Sequence, residues 1–451
     1  MRAQERTTER DRQTADSLKE GIGSKRNNLL ELFRRVRRAS IEMCNSLEPE
    51  EFRIQPMAEV SPPWWNLGHT SWFFARNLLQ PYGLDSGADR TLDYLLNSYY
   101  VSLGPRLDRN RRGLVTRPTT AEIYRYRDSV DRRVEQLIGS MDGAGLARLE
   151  AVLRIGLEHE QQHQELFYTE IKYILAENPP ALRRPYIRKA TEVASHVPRS
   201  PQFLEIRGGL SSFGNVEGGW CWDNELPVHR YYVDDFRLQD QLVTNAEYFE
   251  FIADGGYRQP LLWLDNGWRS VSQQGWQAPL YWEKQETDWT IWTLAGVQPL
   301  NPPEPVCHVS FYEADAFVRW KSQTYGDFRG ATLPTERQWE QAARAMGVDP
   351  DRGNFLDRRC LHPLPARGKQ GCQMAGDVWE WTSSYYEPYP GYHPFDGALA
   401  EYNGKFMDNQ RVLRGGSCVT PQGHWRISYR NFWSGDTRFQ FTGFRLALPG
   451  S

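Results

Sequence analysis

Between Leu146 and Leu175 the apolar residues Leu149, Val152, Leu153, Leu157, Leu166 and Phe167 recur at helix-like spacing, turning one stripe toward a core as an amphipathic helix does. On that run His159 and His163 stand four residues apart. A helical pitch puts both imidazoles on one face, one turn apart, where they can offer two nitrogens to one metal ion. The same spacing also suits two polar residues on a helix surface, so the pair gains meaning only from a further ligand.

Three more helices are predicted before it. Leu29, Leu30, Leu32, Phe33 and Val36 give a bundle-type helix over 28–47. A second opens after Ser61-Pro62-Pro63 with Trp64-Trp65-Asn66-Leu67-Gly68-His69-Thr70-Ser71-Trp72, Pro near its entry. The third follows Pro118-Thr119-Thr120, with Thr at a cap position and Glu122 in the first turn. Asn178-Pro179-Pro180 ends the fourth. His69 sits on the almost wholly apolar second helix, where a lone histidine serves a hydrogen-bonded core as readily as a metal. Bundles build metal sites from inward-facing side chains of different helices, and His69 with His159 and His163 makes such a set.

Residues 1–25 are polar and charged without an apolar stripe, and are expected to be a disordered leader. The bundle spans 26–180, and a Pro- and Arg-containing linker spans 181–202. From 203 to 451 short β-like segments, Gly-rich turns and aromatics take over, with short helices expected at 244–253, 311–322 and 335–345. The fold class is therefore α+β in two domains, as the length of 451 residues requires.

A net charge of −3 gives no electrostatic case for nucleic acid or a membrane as partner. None of the six cysteines forms a CxxC pair, so no zinc-finger or dithiol motif is readable. Reduced thiols and no apolar run of spanning length lead us to expect a cytoplasmic protein. The 17 Trp and 22 Tyr suit a loop-rich domain held by aromatic packing, or a wide pocket. In 104–113, Arg106, Arg109, Arg111 and Arg112 read as a solvated face or as a carboxylate clamp.

Leu333-Pro334-Thr335-Glu336-Arg337-Gln338-Trp339-Glu340, Gly376-Asp377-Val378-Trp379-Glu380-Trp381-Thr382, Arg414-Gly415-Gly416-Ser417 and Thr442-Gly443-Phe444-Arg445-Leu446-Ala447 follow one another in the second half. Together they resemble the formylglycine-generating-enzyme/sulfatase-modifying-factor domain, a C-type-lectin-like fold. In the first half Trp65-Asn66-Leu67-Gly68-His69-Thr70-Ser71-Trp72-Phe73-Phe74, Asn97-Ser98-Tyr99-Tyr100, Arg112-Gly113-Leu114 and His159-Glu160-Gln161-Gln162-His163 resemble the DinB-like four-helix bundle of the ergothioneine-type sulfoxide synthases. That family uses non-haem Fe(II) and O2 to join a thiol to imidazole C2 of hercynine. The resemblance implies His69, His159 and His163 as iron ligands, and Gln162, Asn431 and Phe432 as contacts to hercynine. It further implies Arg106 and Arg109 as partners of the thiol substrate's carboxylate, and Tyr99 and Tyr100 as catalytic. After Asn431-Phe432 the chain reads Trp433-Ser434-Gly435, where members that use γ-glutamylcysteine carry an acid, which tilts the donor toward cysteine.

Other readings stay open on sequence alone. A selenosugar donor giving selenoneine, or histidine in place of hercynine giving 5-histidylcysteine sulfoxide, fits the same family. His159-Glu160-Gln161-Gln162-His163 also spells the HExxH of zinc metalloproteases, with Glu160 as general base, although no metzincin continuation follows. A non-catalytic lectin-like binding protein is the reading from a different class.

Overall fold

The computed structural model describes residues 2–84, 90–187, 200–366 and 372–450. The chain divides into two compact units, Met1–Phe167 and Tyr168–Ser451.

The first unit is helical: α1 (Arg2–Met43), α2 (Pro63–Phe74), the short α3 (Arg90–Leu96), α4 (Thr120–Ser140) and most of α5 (Gly143–Ala176). Helix α2 starts on Pro63, whose missing N–H costs nothing at the first turn, and all twelve of its residues are buried. It runs on into a wide π turn over Ala75–Leu79. Helix α4 opens with a reciprocal cap, Glu122 N–H to Thr119 Oγ1 and Thr119 N–H to the Glu122 carboxylate. Leu29, Phe33 and Val36 of α1, Phe74 of α2, Val130, Val134 and Leu137 of α4, and Leu149, Leu153 and Leu157 of α5 form one core cluster. At Gly156 a Cβ would fall 2.5 Å from the Phe74 ring, so only glycine lets α5 approach α2 this closely.

Helix α1 starts at Arg2, where a disordered leader was expected over 1–25. No proline interrupts that stretch, and extending an existing helix costs far less than nucleating one. The boundary between the units also departs from the expected break at Pro179-Pro180: it falls between Phe167 and Tyr168, inside α5. A terminator in the sequence marks where a helix stops, and contacts decide to which body its residues belong. Most of the expected linker, residues 188–199, lies outside the described residues.

The second unit carries twelve short strands among the described residues: β1 (Phe203–Ile206), β2 (Gly209–Phe213), β3 (His229–Val233), β4 (Phe236–Gln239), β5 (Trp282–Lys284), β6 (Trp289–Thr293), β7 (Gly296–Pro299), β8 (Trp379–Tyr385), β9 (Gln410–Arg414), β10 (Asn431–Ser434), β11 (Thr442–Gly443) and β12 (Ala447–Pro449). They pair as β1-β4-β12, β10-β9-β8-β11, β2-β3 and β5-β6-β7. Helices α6 (Asn245–Ala253), α8 (Phe311–Thr324) and α9 (Glu336–Ala345) begin at capping boxes set by Thr244, Ser310 and Thr335. Helix α7 (Asp265–Gln274) and the β5–β7 meander occupy a Trp-rich stretch whose pattern announced neither. Buried pairs Arg445–Glu380, Arg414–Glu340 and Arg430–Glu336 tie β8 to the C-terminal segment, and β9 and the residue before β10 to α9. No helix of the described residues is long and apolar enough to cross a membrane.

Candidate metal centre

Helix α2 places His69, and α5 places His159 and His163, so that one ring nitrogen of each lies within 4.8 Å of the others. It is the only group of three or more potential metal ligands among the described residues. His69 and His159 are fully buried and His163 half-buried. The Nε2 atoms of His69 and His159 are 3.1 Å apart. Two donors sharing one ion at ~2.1 Å and at right angles are separated by about 3.0 Å, so this spacing fits neighbouring positions on one metal.

The other ring nitrogens settle the tautomers. His69 Nδ1–H donates to the Leu96 carbonyl at 2.6 Å and His163 Nδ1–H to Asn66 Oδ1 at 2.9 Å, which leaves both Nε2 lone pairs toward the centre. Burial depresses all three imidazoles. His159 is held at about 3 despite Glu160, and His69 and His163 lie well below the usual range, pushed further by neighbouring histidines and by Arg112. Three neutral imidazoles, two of them pre-aimed, are the form that binds a transition-metal ion, and this donor set fits the iron that the resemblance implies.

Three α2 rings at i, i+4 and i+7 all reach the end of α3. Trp65 Nε1 donates to Leu95 O at 2.8 Å, His69 to Leu96 O, and Trp72 Nε1 to Asp93 Oδ1 at 2.8 Å. The His69 ring is thereby stacked between two indoles, 4.4 Å from Trp65 at 12° and 5.9 Å from Trp72 at 19°. Phe73 covers His159 at 4.7 Å. Beyond Trp65 lies the Arg112 guanidinium, 3.3 Å from the indole, bonded to Ser61 Oγ and Ser98 Oγ and only 2% exposed. A loop arginine read as a solvated face or a clamp is thus a buried stacking partner.

Glu160 does not point at this centre. Its carboxylate accepts from Arg37 Nη1 at 2.7 Å, Ser40 Oγ at 2.6 Å and Arg127 Nη2, inside a network that also holds Asp131 and Ser71. Burial alone would raise its pKa, but Arg127 and Arg37 overcome that and bring it down to about 2. A carboxylate neutralised by two guanidiniums is no general base, which removes the physical basis of the protease reading.

Tyr100 is fully buried, its ring 6.0 Å from Trp72 and 6.4 Å from Phe73, and the half-buried Tyr99 lies beside it, its ring 4.7 Å away and tilted by 32°. Asn97 fixes this turn by bonding both the N–H and the C=O of Tyr100. Gln162 is half-buried on α5. Arg106 and Arg109 are exposed, and Arg109 Nη2 donates to Glu59 O. Asn431 and Phe432 begin β10 in the second unit, where Phe432 stacks on Tyr386 at 4.0 Å and Asn431 Oδ1 accepts its neighbour's N–H. The sequence gives no role to Asn66, which lies inside a quoted motif, or to Arg37 and Arg127, which no motif marks.

Residues 32–167 match the DinB superfamily, and residues 189–358 and 368–449 match the sulfatase-modifying factor enzyme 1-like domain. The hercynine oxygenase of Mycolicibacterium smegmatis is 34% identical over 325 residues, covering 64% of this chain and 70% of that protein. That of Mycolicibacterium thermoresistibile is 38% identical over 257 residues, 51% of this chain and 54% of that protein. The ergothioneine biosynthesis protein 1 of Schizosaccharomyces pombe is 24% identical over 278 residues, 57% of this chain and 32% of that protein. The chain thus spans about half the length of the second relative and a third of the last.

Proposed function

We propose, because the chain belongs to the ergothioneine-type sulfoxide synthase family with its DinB bundle and sulfatase-modifying-factor domain, that it oxidatively joins a thiol to imidazole C2 of hercynine. The observation that carries this reading is the convergence of three neutral histidines on one point. Nε2 of His69, with His159 and His163, would hold Fe(II). Iron supplies one-electron redox chemistry and open coordination positions for the co-substrates, O2 among them.

The residues around it divide the remaining work. Trp65, Trp72 and Phe73 wall the imidazoles off from water. The side chain of Gln162, one residue before a ligand, orients the hercynine imidazole. Arg106 and Arg109 pair with the donor's carboxylate. Tyr99 or Tyr100 holds a phenolic proton at Oη for delivery during C–S bond formation. Cysteine is the favoured donor, with γ-glutamylcysteine next, and a selenosugar donor or histidine as acceptor would use the same centre.

Anaerobic protein supplied with Fe(II), hercynine and each donor in turn, then exposed to O2, tests the reading by oxygen uptake and product mass. Uptake with cysteine and a hercynylcysteine sulfoxide mass is the expected outcome. No uptake with any donor overturns it.

A further inference from the structure

The buried guanidinium of Arg112 is unusual company for a cation site. Its Cζ lies 3.3 Å from the centre of the Trp65 ring, which stacks 4.4 Å from His69, so the charge sits at most about 8 Å from the ligand ring. Ser61 Oγ at 2.9 Å, before α2, and Ser98 Oγ at 3.2 Å, after α3, pin it there. Trp65 in turn is pinned by its own N–H to Leu95 O. Arginine keeps its charge at every accessible pH, and behind a buried indole that charge is poorly screened by solvent.

A fixed positive charge this close opposes every added positive charge on an ion held by His69. The opposition grows with the ion's own charge, so a trivalent ion suffers more than a divalent one. We infer that Arg112 is a positioning residue that, through the Trp65 stack, biases the three-histidine centre toward the divalent, reduced state of its ion. The inference rests on the reading that His69, His159 and His163 hold a metal.

The test is a redox titration of the iron-loaded full chain, reading the Fe(III) signal by electron paramagnetic resonance, with no turnover required. Arg112→Gln removes the charge, and the ratio of Fe(III) to Fe(II) affinity should rise about tenfold or more. Arg112→Lys keeps the charge but not the planar stack and should stay within about twofold of the parent. Ser98→Ala loosens one anchor and should also stay within twofold. If Arg112→Gln does not fold, Arg112→Met, which keeps the packing of the stem on Trp65, carries the same expectation as Gln. Equal shifts in the Lys and Gln variants would assign the effect to ring geometry and overturn the charge role. No shift in Gln or Met would overturn it too. Failure of the parent protein to bind iron at all would instead remove the metal reading on which the inference stands.

Discussion

His159 and Glu160 are neighbours on α5, both buried, and the chain treats them in opposite ways. On one face His159 joins two other imidazoles among aromatic rings, where the neighbouring Glu160 charge offsets burial only in part, and it is held neutral down to about pH 3. On the other face Glu160 is buried equally deeply but between Arg37 and Arg127, and it stays ionised down to about 2. Burial sets the cost of charge, and the partners decide whether the cost is met. A spelling such as HExxH carries neither piece of information.

Removing a ligand is expected to have the largest effect. His163→Ala or His69→Ala should lower iron affinity by more than ~100-fold, since a ligand matters at least as much as the groups behind it; metal analysis after dialysis reads this directly. Glu160→Gln attacks the opposite face. It leaves two buried guanidiniums undercompensated and should cost about 3–5 kcal/mol of stability by denaturant unfolding, while iron stoichiometry at low temperature stays intact. Loss of iron from Glu160→Gln equal to that from His163→Ala would return Glu160 to the chemistry. Asn66→Ala strips the acceptor from His163 Nδ1 and should weaken iron binding ~10–100-fold with little change in unfolding.

Acid separates the two faces without mutation. His159 has a folded value near 3 against 6.5 for the free group, so the unfolded chain takes up its proton first as pH falls. Stability is complete above 6.5 and drains from there toward 3. Glu160, about 2 against 4.5, contributes fully above 4.5 and loses that contribution toward pH 2. The denaturant midpoint of metal-free protein should therefore begin to fall below pH 6.5 and steepen below 4.5. Only the lower window should flatten in Glu160→Gln. The smallest effect is chemical: Tyr99→Phe should shift product from sulfoxide toward cysteine sulfinate, read as a mass ratio, and an unchanged ratio would take Tyr99 out of the proton delivery.

The histidine triad was legible in the sequence because its signal is local: helical spacing for one pair and a single polar ring on an apolar helix for the third. The four long helices were legible too, since Pro63 and the Thr119/Glu122 box punctuate them. The Arg37–Glu160–Arg127 network was not, because Arg37 lies 123 residues from Glu160 and nothing in its own helix marks it as buried. Arg112 looked like one of several surface arginines, for stacking on Trp65 depends on a loop path that no periodicity encodes. The β5–β7 meander was missed because its tryptophans satisfy each other across strands, as Trp282 and Trp289 do at 6.0 Å, and so leave no alternating pattern.

The two pre-aimed imidazoles are anchored to different kinds of atom. His69 leans on a main-chain carbonyl, which every residue type at position 96 would supply, whereas His163 leans on the side chain of Asn66. Mutation can therefore explore only one of them gradually. Across descendants of this chain, adjustment of the centre is expected to accumulate at position 66, while the anchor of His69, a main-chain atom of the fully buried Leu96, offers substitution no such graded handle.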